Sequence, residues 1–291
     1  MISRPHIRTQ ILIFTLFGEY IAPRGESVWT ANLLGLLKVL GVTERAARSV
    51  LSRMSRKGWL VSKRQGRYSR YSLTKRGLGV VRGGEERIFE PRRTEWDGLW
   101  HMVVYSIPED KRRLRSALRK RLGWLGFGSL APGTWVSPND RCEEVETQLD
   151  DLGARNYAVY FGGMELHFAT NQEIVKRCWG LDVLNRDYTA FLQNYEPAFL
   201  ECRQKINKGI PLQPANCFRQ RFWLTLEYSQ FPRRDPNLPP DLLPSTWQGS
   251  RASQVFTEFH RLLKEPSERF VNDVLSNCPT KHMNDTIPSM E

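Results

Sequence analysis

The stretch that most restricts the fold is residues 29–73. It opens with an apolar run over residues 29–40, where Leu33, Leu34, Leu36, Leu37 and Leu40 recur at 3–4 spacing and give a helix one greasy side. Gly41 suits the left-handed position that stops such a helix, and Thr43 is a good N-cap for a second periodic run over residues 43–57. After Gly58 come two short segments rich in strand formers, residues 59–64 and 67–73, with a Gln65-Gly66 turn between them. Helix, tight turn, helix and hairpin is the order of a winged helix-turn-helix.

The second helix separates into two faces. Ala46, Ala47, Val50, Leu51 and Met54 fall on the apolar side, while Arg45, Arg48, Ser49, Ser52, Arg53 and Arg56 form one stripe on the other. A helix carrying such a stripe into a DNA major groove reaches base edges and phosphates, and the planar guanidinium can grip guanine O6 and N7 together. The helix alone fits a solvated basic face as well. The hairpin shifts that balance, because Lys63, Arg64, Arg67 and Arg70 crowd around its tip. Cations so concentrated repel one another unless something anionic sits against them, and phosphate contacts of this kind fix orientation without specifying sequence. Of Tyr68 and Tyr71, at least one is expected to pack.

Charge is distributed unevenly. The 291 residues hold 43 Lys/Arg against 31 Asp/Glu, a net +12, and residues 1–93 alone hold 19 against 6. The whole excess therefore lies in the N-terminal segment that holds the helix pair and hairpin, which points to a polyanion partner, nucleic acid ahead of an anionic membrane. The five cysteines are widely spaced with no C-x-x-C pair, as for free thiols in a reducing compartment. The apolar run over residues 11–17 is too short to span a bilayer and no small-x-small cleavage site follows it, so it reads as a core helix. A cytoplasmic protein without a membrane partner is expected.

Further along, residues 90–96 read as a linker. The pattern then predicts a strand over 99–107, a helix over 111–124, strands near 127–130 and 134–136, a helix over 143–152 and a strand over 157–161. That β-α-β-β-α-β order is the ferredoxin-like arrangement. Helices are expected over 171–178, 182–205 (kinked or split at Pro197), 217–228 and 248–264, with a proline-dense ordered connector over 231–247. From Pro266 onward the weak periodicity predicts a frayed tail. The fold class is thus α+β, with a winged helix-turn-helix at 1–90, a ferredoxin-like domain at 97–168, a helical C-terminal domain at 169–265 and a flexible tail at 266–291.

Several residues carry a resemblance to a known family. Residues 13–20, residues 45–60 with Gly58-Trp59-Leu60 closing the second helix, residues 66–74 and Asp97-Gly98-Leu99-Trp100 all resemble the PaaX family of transcriptional repressors of phenylacetic-acid catabolism. Most specific are Glu227-Tyr228, Phe231-Pro232, Asp235-Pro236-Asn237-Leu238-Pro239-Pro240-Asp241-Leu242-Leu243-Pro244, Trp247 and Gly249. The resemblance covers nearly the whole chain up to Pro266. It implies a central domain similar to the small CRISPR-adaptation nucleases and a homodimeric repressor on a double-stranded DNA operator. It also implies release by an aryl-acyl-CoA effector of the phenylacetyl-CoA type.

The alternative reading is a metal-dependent nuclease. In the CRISPR-associated relatives an aspartate ends the first strand of this domain, whereas Ser106 stands there here, and a hydroxyl is a poor ligand for a hard cation. Glu109 and Asp110 fall at a helix start, where acids are favoured anyway. The five histidines show no metal or triad spacing, and phosphate-cradling glycine signatures are absent. No catalytic residue, metal ligand or cofactor is expected, and the effector residues stay unassigned. The basic helix face Arg112, Arg113, Arg115, Arg119, Lys120 and Arg121 could take acyl-CoA phosphates, although a solvated face is the simpler reading. Trp179, Tyr188, Phe191, Tyr195 and Phe199 could line a pocket for the acyl end, although their helical spacing is more often that of a core.

Overall fold

Apolar side chains on most faces bury the first helix, α1 (Thr9–Leu16), with Leu12, Ile13, Phe14 and Leu16 in the core. The computed structural model describes residues 8–25, 27–85 and 95–276, and for residues 82–85 the backbone only. After α1 the chain continues as a π turn (Phe17–Ile21) and a 3-10 turn (Ala22–Arg24) that ends at Gly25. Ser27–Trp29 is not the start of the next helix, as the apolar run suggested, but a short strand, β1, and α2 (Thr30–Val39) begins only at Thr30. Gly41 takes the expected left-handed conformation at φ 86°. Thr43 caps α3 (Glu44–Arg56), its hydroxyl accepting from the Ala46 N–H at 3.3 Å. Strands β2 (Leu60–Gln65) and β3 (Tyr68–Leu73) follow, then α4 (Lys75–Glu85). The three strands form an antiparallel sheet in the order β1-β3-β2. The expected linker lies outside the described residues as far as residue 94.

The second sheet is built from β4 (Trp100–Tyr105), β5 (Gly128–Ala131), β6 (Thr134–Ser137) and β7 (Ala158–Met164), all antiparallel, in the order β5-β6-β4-β7. Helices α5 (Arg112–Trp124) and α6 (Cys142–Leu152) alternate with these strands and seat Leu118, Leu122, Val145 and Leu149 against Val103, Tyr105 and Trp135. On the other side Trp100 and Val136 pack with Ile174 and Val175 of α7 (Asn171–Cys178) and with Leu238 and Leu242 of the proline-dense stretch. That stretch is ordered, as proline content suggested: Phe231 stacks on Tyr188 at 4.1 Å, and Asp235 accepts from the Tyr188 hydroxyl at 2.7 Å.

Helices α8 (Leu181–Asn207), α9 (Pro214–Tyr228), α10 (Gly249–Leu262) and α11 (Lys264–Ser276) complete the chain. Two expectations are corrected here. Pro197 does not divide its helix: α8 is one element, and the carbonyl deprived of a partner belongs to exposed Gln193. Nor does the chain fray at Pro266. That proline sits in the first turn of α11, where its missing N–H costs no hydrogen bond, and Pro266, Ser267 and Val271 are buried. Residues 277–291 of the expected tail lie outside the described residues.

By packing, the chain forms two units, one of residues 1–89, 191–229 and 253–291, the other of residues 90–190 and 230–252. The first unit has one core in which Phe218, Phe222, Trp223 and Leu226 of α9 and Val271 of α11 join the apolar faces of α1, α2 and α3. The N-terminal helices therefore do not close a core by themselves. An ionic group that the sequence reading did not anticipate is buried beside it. Glu19 Oε1, on the π turn, lies 3.2 Å from Arg221 Nη1 of α9 and 3.1 Å from His260 Nε2 of α10, and the Thr225 hydroxyl donates to it at 3.3 Å. The sequence signal was an acid closing an apolar run, Glu19 after residues 11–17, and an arginine directly ahead of another, Arg221 before Phe222-Trp223-Leu224.

Candidate nucleic-acid interface

Local packing decides which side chains of α3 reach solvent. Ala47, Val50, Leu51 and Met54 are buried, whereas Ala46, expected inward, sits at the border of the apolar face and is exposed. Arg45, Arg48, Ser49, Ser52, Arg53 and Arg56 are all exposed. The helix rises about 1.5 Å per residue, so this stripe runs for about 17 Å along one face. Arg48 is held by Glu44, Nε to Oε1 at 2.7 Å, one turn back. Arg45, Arg53 and Arg56 make no ion pair among the described residues. The uncompensated charge of the stripe is thus concentrated on those three.

The hairpin is closed by the pair Gln65 and Tyr68, with Gly66 and Arg67 as a two-residue loop. Gly66 has φ 61° at the first loop position, the conformation that a type II′ hairpin turn assigns to glycine. Alternation along the strands distributes the cations. Lys63 and Arg70 stand directly opposite each other, and Trp29 of β1 is opposite Arg70 on its other side. Like charges paired across strands are destabilising, and Arg70 meets this by lying over the Trp29 ring, 4.7 Å from its centroid. Arg70 is therefore half-buried and differs from the free tip cation that the sequence suggested. Lys63, Arg64 and Arg67 are exposed; Arg64 Nε donates to the Gly66 carbonyl at 3.0 Å, and Arg67 Nε donates to the Tyr68 hydroxyl at 3.0 Å. Tyr71 packs on the core, and Tyr68 meets Trp29 edge-on at 6.3 Å on the outer face.

Strand β1 has a second role. The Thr30 hydroxyl at its end donates to the Ser69 carbonyl at 2.9 Å, tying the start of α2 to β3. Three exposed cations of the same module were not singled out from sequence: Lys57 at the end of α3, and Lys75 and Arg76 at the start of α4. Arg76 Nη1 donates to the Lys57 carbonyl at 3.4 Å, which brings those two ends together. The signal that could have found them was the charge count, which exceeds what the stripe and tip hold.

The positions that bear on catalysis are differently arranged. Ser106 follows β4 and donates its N–H to the Tyr157 carbonyl at 2.9 Å, and Glu109 is held by Arg115 at 2.6 Å. Among the described residues no three His, Cys, Asp or Glu side chains are grouped to hold a metal ion. His101 is buried on β4 with Nδ1 3.8 Å from Asp140, whose carboxylate also accepts from the Tyr160 hydroxyl at 2.8 Å. Burial, with the Asp140 carboxylate beside it, raises the Tyr160 phenol far above its ordinary range. Burial also pushes the Cys178 and Cys217 thiols up to about 11. These groups are set up for packing rather than for attack on a substrate.

An α+β chain with a cation-faced helix and a cationic hairpin has the make-up of a DNA-binding regulator. Three family models match it in order: "PaaX-like protein" over residues 8–77, "PaaX protein central Cas2-like domain" over 93–175 and "PaaX-like protein C-terminal domain" over 179–273. The chain is 32% identical over 265 residues to the transcriptional repressor PaaX of Escherichia coli, covering 90% of this chain and 82% of that one. It belongs to the PaaX family of transcriptional repressors. Among solved structures, the Mycobacterium tuberculosis protein Rv0674 is similar in fold, with a TM-score of 0.58 at 20% identity over 91% of this chain and 98% of that one.

Proposed function

We propose that the chain is a sequence-specific repressor whose residues 1–90 act as a winged helix-turn-helix, with α3 as the reading helix and the β2–β3 hairpin as the wing. The observation that carries this is the exposed arginine–serine stripe of α3, held by a buried apolar face and a capped N-terminus. Arg45, Arg48, Ser49, Ser52, Arg53 and Arg56 take base edges and nearby phosphates, and Lys63, Arg64, Arg67 and Arg70 of the hairpin serve the backbone. Arg70 does so at most through its edge, since its face is on Trp29. The family makes the chain a regulator rather than an enzyme.

Residues 97–168 are read as a ferredoxin-like domain, a reading supported by strand order β5-β6-β4-β7 with two helices on one face. Residues 169–265 are assigned as the C-terminal helical domain. The working unit is a homodimer in the cytoplasm, presenting two copies of α3 to successive major grooves of a pseudo-palindromic operator. No helix among the described residues is long and apolar enough to cross a membrane. Because the relative is named transcriptional repressor PaaX and the motifs of residues 227–249 resemble a family of phenylacetic-acid catabolism, we assign the operon to aromatic-acid catabolism and the inducer to the aryl-acyl-CoAs. Such an inducer releases the operator only by binding the DNA-incompetent state more tightly. Footprinting on DNA upstream of the protein's own gene, with and without phenylacetyl-CoA, tests the reading. A discrete footprint erased by the acyl-CoA is the expected result; protection without sequence preference, or cleavage on adding Mg²⁺, refutes it.

A further inference from the structure

Helix α5 has an outer face that the reading above leaves without a task. Arg112, Arg113, Ser116, Arg119 and Lys120 are all exposed and, at about 100° per residue, lie within one arc opposite buried Leu118 and Leu122. The other arginines of the helix are neutralised: Arg115 by Glu109 at 2.6 Å, Arg121 by Asp151 at 3.2 Å. Arg112, Arg113, Arg119 and Lys120 make no ion pair among the described residues.

The neighbouring helix α6 does not supply the missing negative charge. Its Glu144 is engaged by Arg141, its Glu146 and Asp150 by Arg155, and its Asp151 by Arg121. Of the acids on α6 and the turn before α5, Asp110 and Glu143 stay outside these pairs. Arg112 and Arg113 also open α5, where the helix dipole disfavours cations, and of the two acids in the 3-10 turn just before them Glu109 is taken by Arg115, which leaves Asp110 alone against the pair. An electrostatic cost kept on an exposed face is what an anionic partner would relieve.

We propose that the outer face of α5 is a second surface for the phosphate backbone of double-stranded DNA, separate from the α3 and hairpin contacts. The inference rests on the reading of the chain as a DNA-binding regulator. The shape of the surface selects the partner. A small phosphorylated ligand is bound in a cleft that buries most of its surface, whereas this face is the convex side of a helix and fits an extended polyanion. A protein partner would need an apolar centre, and the arc offers only Trp124 at its far end. Four cations on one arc, unpaired among the described residues, neutralise phosphates without reading bases, which adds affinity and footprint length but no sequence preference.

The test measures binding of the full-length protein to a duplex from upstream of its own gene and to a shuffled duplex of equal length, across a salt series. R112Q/R113Q and R119Q/K120Q are compared with K176Q/R177Q, which removes the same charge from the exposed side of α7. Each α5 variant is expected to flatten the slope of log affinity against log salt by about 1.8 per protomer on both duplexes, while the control leaves it unchanged. The preference for the upstream duplex should survive in both α5 variants. Slopes equal to that of the control, with binding intact, overturn this proposal alone. The same result with a lost response to phenylacetyl-CoA overturns it in favour of an effector site. No binding by the unaltered protein overturns the functional reading as well.

Discussion

Replacing Glu19 by alanine removes the counter-charge of Arg221 in a place that water does not reach freely. The side chains of Arg221, Glu19 and His260 are 7%, 13% and 15% exposed, and one carboxylate oxygen serves Arg221, His260 and Thr225 together. At 3.2 Å and an effective dielectric of about 20, the Glu19–Arg221 attraction alone is about 5 kcal/mol, most of which offsets the desolvation of the two ions. Glu19→Ala forfeits the attraction while Arg221 stays buried, so the expected loss is about 3–5 kcal/mol. Removing both charges in E19A/R221M should recover most of that, because an apolar pair needs no solvation. Hydrogen exchange of peptides covering residues 9–24 and 214–228 reads the local opening energy, with urea unfolding as the global measure. A loss under about 1 kcal/mol for the single variant, or a double variant no more stable than the single, would refute the account of a buried and mutually dependent group.

Three smaller predictions follow from local geometry. Thr43→Ala removes the α3 cap and should cost about 1 kcal/mol in thermal or urea unfolding, whereas Thr43→Ser should cost far less. Gly77→Ala would press a methyl group into the Trp59 carbonyl and the Leu73 side chain, so a destabilisation of about 1–3 kcal/mol is expected, with α4 displaced from the hairpin. Thiols pushed up to about 11 are about 0.1% ionised at pH 8, so Cys178 and Cys217 should react slowly with a disulfide reagent in the native protein and quickly once unfolded. Equal rates in the two states would contradict their burial.

The sequence reading succeeded where a single local rule decides the structure. The α3 boundaries followed from the Thr43 cap and the Gly58 stop, and the hairpin followed from alternation around a glycine that has to take positive φ. It failed where distant partners decide. Three residues of β1 have no periodicity of their own and become a strand only because β3 offers an edge. Pro266 looks like a terminator in one dimension, but in three dimensions it opens a helix whose Phe270, Val271, Val274 and Leu275 pack on the first core. In the candidate interface, sequence placed every exposed cation of the α3 stripe. It could not show that Glu44 occupies Arg48 or that Trp29 takes the face of Arg70, since those pairings depend on side-chain reach and on a strand it did not contain.

The central claim is that the free cations of α3 read DNA, and Arg53→Ala tests it most directly. Arg53 is exposed, on the stripe and unpaired among the described residues, so its loss should leave unfolding unchanged. Affinity for the footprinted operator should fall by about 1–3 kcal/mol, with preference relaxed at one base position in each half-site. Arg48→Ala should cost less, because Glu44 already holds that guanidinium. Quantitative gel shifts of both variants on the operator and on single-base substitutions of it supply the numbers. A specific loss for Arg53→Ala larger than for Arg48→Ala is the predicted result. Unchanged operator affinity and unchanged base preference for Arg53→Ala would contradict α3 as the reading helix.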